Sequence, residues 1–341
     1  MVVALVVENK IWWVKTGDRL DEVAMDTTIG EIVRDPRINQ FGGKLGYLVR
    51  FNRDTTIQGL VDESPAWEYA DMTYGWNAAL AYLEKNQTFC QNIYTKEQIK
   101  EKSSRKNAVL YDFPVDDPEA PFVLVVPGGA YFNVAVTVEG FPVAAKLNEL
   151  GYHAFVLNYR AGYNCLENAV EDLHTAISYI IENADRLSVS TEGYGVMGFS
   201  AGGHLVSTLA TDTYGYQTAD LPKPDALILG YPVVDFNAGG GIISMCKMDA
   251  FGLFASESKV QAAYVPEHLQ KDSPPLYIWH GKNDDTVPYQ ENSLALYQSA
   301  QEQGITVRHY AVDNGPHGMG VAKGSEAEGW LEEAIRFMED N

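Results

Sequence analysis

The chain has 341 residues, 46% of them hydrophobic, which is enough to bury one large α/β core or one core with an appendage. A formal net charge of -21 argues against nucleic acid and anionic membranes as partners, because both attract through clustered Lys and Arg. No run of eighteen apolar residues occurs, and the early apolar run 2–7 lacks the basic flank and cleavage site of a signal peptide, so the sequence predicts a soluble, cytoplasmic protein.

In chain order, residues 1–105 show two aromatic-rich stretches, 11–14 and 45–51, with Trp12, Trp13, Trp67 and Trp76, scattered Gly and Asp, and no internal repeat. They predict a small appended subdomain, serving as lid, core cover or dimerisation element, and the first antiparallel strand of the main sheet near 93–94. The sequon at Asn86 carries no weight in a chain read as cytoplasmic. From 106 to 341, short apolar runs alternate with helical patterns. Strands are predicted at 107–111, 122–126, 153–159, 194–198, 226–230, 276–280 and 306–311, and helices near 139–149, 166–186, 201–211, 290–303 and 326–339. That rhythm predicts an α/β domain with a mostly parallel central sheet and helices on both faces. Ala169, Leu173, Ala176, Ile177 and Ile180 have the spacing of a helix packed on such a sheet. The stretch 237–270 opens with three glycines, breaks the rhythm and predicts an insertion beside the substrate cleft. Cys90, Cys165 and Cys246 lie far apart with no C-x-x-C pair, so free thiols are expected rather than zinc or redox chemistry.

Gly198-Phe199-Ser200-Ala201-Gly202 falls between a predicted strand and a predicted helix. A serine on such a tight turn takes strained dihedrals, and small residues two positions to either side let the backbones pass. The turn would hold the Ser200 hydroxyl above the sheet as a nucleophile. Serine needs a base and an orienting acid, which in this context follow it in the order acid, histidine. His309 lies inside a predicted strand, whereas His317 lies in the loop Asn314-Gly315-Pro316-His317-Gly318 past the last one, where it can present its imidazole. The loop after 276–280 offers two adjacent carboxylates, Asp284 and Asp285, and spacing leaves the choice between them open. For the charge that develops on a substrate carbonyl oxygen, the turn supplies the N–H of Ala201, and the loop Pro127-Gly128-Gly129-Ala130-Tyr131 supplies others.

These segments, together with Glu139-Gly140-Phe141-Pro142, Leu157-Asn158-Tyr159-Arg160, the His204 that follows Gly203, and His280-Gly281, resemble bacterial α/β-hydrolase esterases related to acetyl xylan esterases, carbohydrate acetylesterase-like carboxylesterases and the hormone-sensitive-lipase-like branch of carboxylesterases. The resemblance spans roughly 106–341 and implies an α/β-hydrolase fold. Its H-G-x-x-D-x-x-V-P pattern places the acid on Asp284, and its oxyanion positions fall on Gly129 and Ala130. The loop departs from the lipase-like branch in starting with proline and in having Ala130 where a third glycine is common. Glu139 and Arg160 read as structural. The resemblance implies a serine carboxylesterase that hydrolyses short acyl, chiefly acetyl, esters of a small molecule or an acetylated saccharide such as a xylo-oligosaccharide. It requires no cofactor or metal and leaves homo-oligomer formation open. The competing readings are a peptidase of the prolyl-oligopeptidase type, whose propeller is too large for 105 residues, and a non-catalytic hydrolase-fold binding protein.

Overall fold

A computed structural model describes residues 2–7, 10–15, 17–45, 51–63, 69–85 and 89–341; Asn86, Trp67 and most of the stretch 45–51 lie outside them. Among the described residues ten strands are present: β1 Val2–Val7, β2 Lys10–Lys15, β3 Cys90–Asn92, β4 Val109–Phe113, β5 Pro121–Val126, β6 His153–Asn158, β7 Ser190–Phe199, β8 Ala226–Gly230, β9 Leu276–Gly281 and β10 Val307–Val312. The first two pair as an antiparallel hairpin. The other eight form one sheet in the order β10-β9-β8-β7-β5-β6-β4-β3, parallel except at β4 and β3. The edge strand expected near 93–94 is β3, slightly earlier in the chain.

The helices are α1 Ile29–Arg34, α2 Pro36–Asn39, α3 Ile57–Glu63, α4 Asp71–Lys85, α5 Lys96–Glu101, α6 Phe141–Glu149, α7 Leu166–Glu182, α8 Ala184–Leu187, α9 Ser200–Ser207, α10 Gly241–Phe251, α11 Glu257–Gln261, α12 Val265–His268, α13 Ala295–Glu302 and α14 Trp330–Glu339. The chain passes from β5 outward to β6 and then back across β5 to β7. With right-handed crossovers, that reversal puts α6 and α7 on opposite faces. Strands covered on both faces must be apolar throughout, and β6, β8 and β9 are buried along their whole length. The reversal also opens a crevice at the carboxyl ends of β5 and β7, the usual ligand position in such sheets.

The N-terminal region corrects one expectation, since it does contain an internal repeat. Asp26-Thr27-Thr28-Ile29 recurs as Asp54-Thr55-Thr56-Ile57. The two copies exchange hydrogen bonds: Ile29 N–H to Thr55 O and Gly30 N–H to Arg53 O, answered by Ile57 N–H to Thr27 O and Gln58 N–H to Met25 O. Thr28 caps α1 through Glu31 N–H, and Thr56 caps α3 through Gly59 N–H. Each copy satisfies the free N–H groups at the other's helix start, a pseudo-twofold relation carried by only four consecutive identical residues. Beyond it, α4 packs on α6 and on the preceding π-helical turn Val136–Gly140. The 237–270 stretch holds α10, α11 and α12. Cys165 and Cys246 are buried and Cys90 half-buried, all as free thiols.

Candidate active site

Ser200 opens α9 directly after β7 with φ 51, in the left-handed region that costs an L-residue energy. Small neighbours make that turn feasible. A Cβ on Gly198 would lie 2.3 Å from Gly202 O, and one on Gly202 would lie 2.1 Å from Val126 O. The Ser200 hydroxyl is 2.8 Å from His317 Nε2, and His317 Nδ1 is 2.7 Å from Asp284 Oδ2. Because Asp284 accepts the Nδ1 proton, Nε2 is left to accept from the hydroxyl. The three side chains come from the ends of β7, β9 and β10, and all are buried.

Asp284 has a dense set of donors. Its Oδ1 accepts the N–H groups of Thr286 and Val287, both at 2.9 Å, and its Oδ2 also accepts His280 Nε2–H at 3.0 Å. Ser293 then donates its hydroxyl to His280 Nδ1 at 2.7 Å. Burial pushes the Asp284 carboxyl upward, but His317 and His280 outweigh it and hold the group well below the usual carboxylate range. Burial lowers His280 and keeps it neutral. Asp285, the adjacent carboxylate, is exposed.

The loop after β5 folds back on itself, with Phe132 and Asn133 N–H both donating to Gly129 O. Gly129, Ala130 and Tyr131 all have positive φ, at 120, 54 and 56. Among the described residues, the N–H groups of Gly129 and Ala130 meet no protein acceptor, and that of Ala201 lies in the unpaired first turn of α9. Tyr131 anchors the loop: its hydroxyl donates to His204 Nδ1 at 2.7 Å, and its carbonyl accepts Gly162 N–H. His204 Nε2 donates to Ala263 O, which fixes the tautomer, and burial lowers its pKa to about 4.

Two more side chains belong to this neighbourhood. Glu139, read from sequence as structural, accepts Gly128 N–H at 2.7 Å and the Tyr231 hydroxyl at 2.9 Å. Tyr231, which follows β8 and carried no motif of its own, stacks edge-on against His317 with centroids 4.8 Å apart. Arg160 sits apart from the site, buried against Asp172 and Glu171 of α7. His309 lies in β10, stacked on Tyr289, and does not face Ser200 through any hydrogen bond.

Residues 109–299, more than half of the chain, match the BD-FAE family. The chain belongs to that family. Among its relatives, Endo-1,4-beta-xylanase B of Butyrivibrio fibrisolvens is 28% identical over 63% of this chain and 35% of its own length. Acetylxylan esterase of Xylanibacter ruminicola is 27% identical over 62% of this chain and 44% of its own. The alignments therefore span less than half the length of these relatives. Among solved structures, the acetyl ester-xyloside bifunctional hydrolase of Caldicellulosiruptor lactoaceticus is 26% identical, with a TM-score of 0.61 over 68% of this chain and 88% of that one. The fold of this BD-FAE member is that of the α/β hydrolases. Among the described residues, no helix is long and apolar enough to cross a membrane.

Proposed function

We propose that this BD-FAE protein is a serine carboxylesterase in which Ser200, His317 and Asp284 form the catalytic triad. The observation that carries the reading is the continuous hydrogen-bonded path from the strained serine through His317 to a four-donor carboxylate. Ser200 Oγ attacks the ester carbonyl carbon while its proton passes to His317 Nε2. Asp284 stabilises the resulting imidazolium, and the N–H groups of Gly129, Ala130 and Ala201 receive the oxyanion. Collapse expels the alcohol, which takes the proton from His317 and leaves an acyl-enzyme. Water, deprotonated by the same nitrogen, then releases the acid and restores Ser200. The names of the xylan-directed relatives support a small acyl group, chiefly acetyl, on a saccharide alcohol.

Hydrolysis of p-nitrophenyl acetate tests the chemistry, with Ser200→Ala expected to lower kcat at least about 10³-fold. A fluorophosphonate probe should add once to the wild type and not to Ser200→Ala. Activity retained by that variant would sink the serine mechanism. Across p-nitrophenyl esters of two to eight acyl carbons, kcat/KM should fall with length, and acetylated xylo-oligosaccharides should release acetate. A preference for the eight-carbon ester would reject the acetyl reading alone.

A further inference from the structure

Glu139 is 3% exposed, yet among the described residues it makes no ion pair with Lys or Arg. Burying a carboxylate without a cation is costly, so its partners must be sought. One oxygen accepts Gly128 N–H, the peptide that leads into Gly129 and Ala130. The other accepts the Tyr231 hydroxyl, whose oxygen in turn accepts Gly320 N–H at 3.0 Å. Gly320 lies just past His317, and the Tyr231 ring packs on His317 itself. Glu139 also sits in a π-helical turn, a form that recurs at functional sites. A Cβ on Gly128 would lie 2.9 Å from Glu139 Oε2 and 2.8 Å from Ser200 Cβ, so carboxylate, loop and serine are in close register.

We propose that Glu139 is a positioning residue that ties the oxyanion loop to the histidine loop and places a second negative charge behind the His317 imidazolium. The inference rests on the reading of Ser200 and His317 given above. Holding the Gly128 peptide fixes the direction of the next two N–H groups, which must be aimed before charge develops if they are to act at full strength. Burial holds the carboxyl above its ordinary value, only partly offset by the charge of His317, the Gly128 N–H and the Tyr231 hydroxyl; both of its oxygens accept hydrogen bonds, the pattern of the charged form, which is favoured most when His317 is protonated. The titratable groups facing His317 are Asp284 from the loop after β9, His280 of β9 behind it, Tyr231 after β8, and Glu139.

The test compares wild type, Glu139→Gln and Tyr231→Phe on p-nitrophenyl acetate across pH, with thermal unfolding of each as the folding control. Removing an oxyanion donor outright costs ~10²–10³-fold in kcat, so misaiming the loop in Glu139→Gln should cost about tenfold or more, with KM within about twofold. The acid limb of kcat/KM should move to lower pH, because the imidazolium loses one of two charges that favour it. Tyr231→Phe keeps the ring, loses one bond to Glu139 and should show a smaller fall in kcat. If Glu139→Gln folds and keeps both kcat and the acid limb, the proposal is overturned. It is equally overturned if activity falls only in proportion to folded protein while the limb stays fixed. Should Glu139→Gln fail to fold, Tyr231→Phe decides, and an unchanged kcat there rejects the coupling. Activity retained by Ser200→Ala would instead fault the underlying reading of the site.

Discussion

At the scale of single residues, Asp284 and Asp285 show how the fold separates two groups that the sequence leaves equivalent. Asp284 is buried and accepts from two imidazoles and two backbone amides, while Asp285 is exposed with the Thr286 hydroxyl at 3.4 Å. Asp284→Asn, keeping its oxygen on the two backbone amides, turns its NH2 toward both imidazoles in place of Oδ2, so His317 is offered the wrong tautomer, and kcat should drop by ~10⁴-fold. Asp285→Asn should stay within about twofold of wild type, as surface changes usually do. Steady-state rates on p-nitrophenyl acetate compare the two, and equal losses would remove Asp284 from its proposed role. The placement of Ser200 and His317 was legible because each occurs in a short motif beside a readable strand. The link between Glu139 and Tyr231 was not, because it joins residues 92 positions apart and depends on which oxygen faces which donor. His280 was legible as part of a pattern, but its bond to Asp284 was not.

At the scale of elements, the parallel strands were readable because burial on both faces makes them short apolar runs bounded by turns. The N-terminal region was harder. Its helices α1 and α3 satisfy each other's ends across the repeat, so neither has the long apolar period that identifies a helix in isolation. The longer α4 was not among the helices expected from the sequence, and its docking on α6 was not legible either. Trp76 of α4 is fully buried and meets Phe141 edge-on at 5.2 Å, one residue beyond the turn that carries Glu139. Trp76→Ala should therefore cost about 3–5 kcal/mol in urea denaturation, the range for emptying a large aromatic site. Because α4 backs the π-helical turn, kcat of the folded variant should fall as well. A cost below about 1 kcal/mol, with kcat unchanged, would show α4 to be a passive attachment.

At the scale of the whole molecule, acidification acts on stability through opposing effects. As pH falls toward the isoelectric point near 4.6, the net charge of -21 shrinks and self-repulsion relaxes, which favours the compact state. The buried His204 acts the other way. Its ordinary value is 6.5 and its folded value about 4, because burial disfavours the imidazolium. Between those pH values the unfolded chain binds a proton that the folded chain refuses. The stability tied to the neutral ring is complete above pH 6.5 and is lost as pH falls toward about 4. A wild-type titration alone mixes the two effects, but the charge term is nearly common to wild type and His204→Gln. Wild type should be the more stable at pH 7, since the variant disturbs the bonds to Tyr131 and Ala263. Below pH 6.5 that advantage should shrink by up to about 1.4 kcal/mol per pH unit, the full slope for one proton. Denaturant melts of both proteins at pH 7.5, 6 and 5, read as a difference, provide the check. A difference that stays constant with pH would mean that the folded protein accommodates a charged His204, and that Tyr131 and the oxyanion loop do not depend on its neutrality.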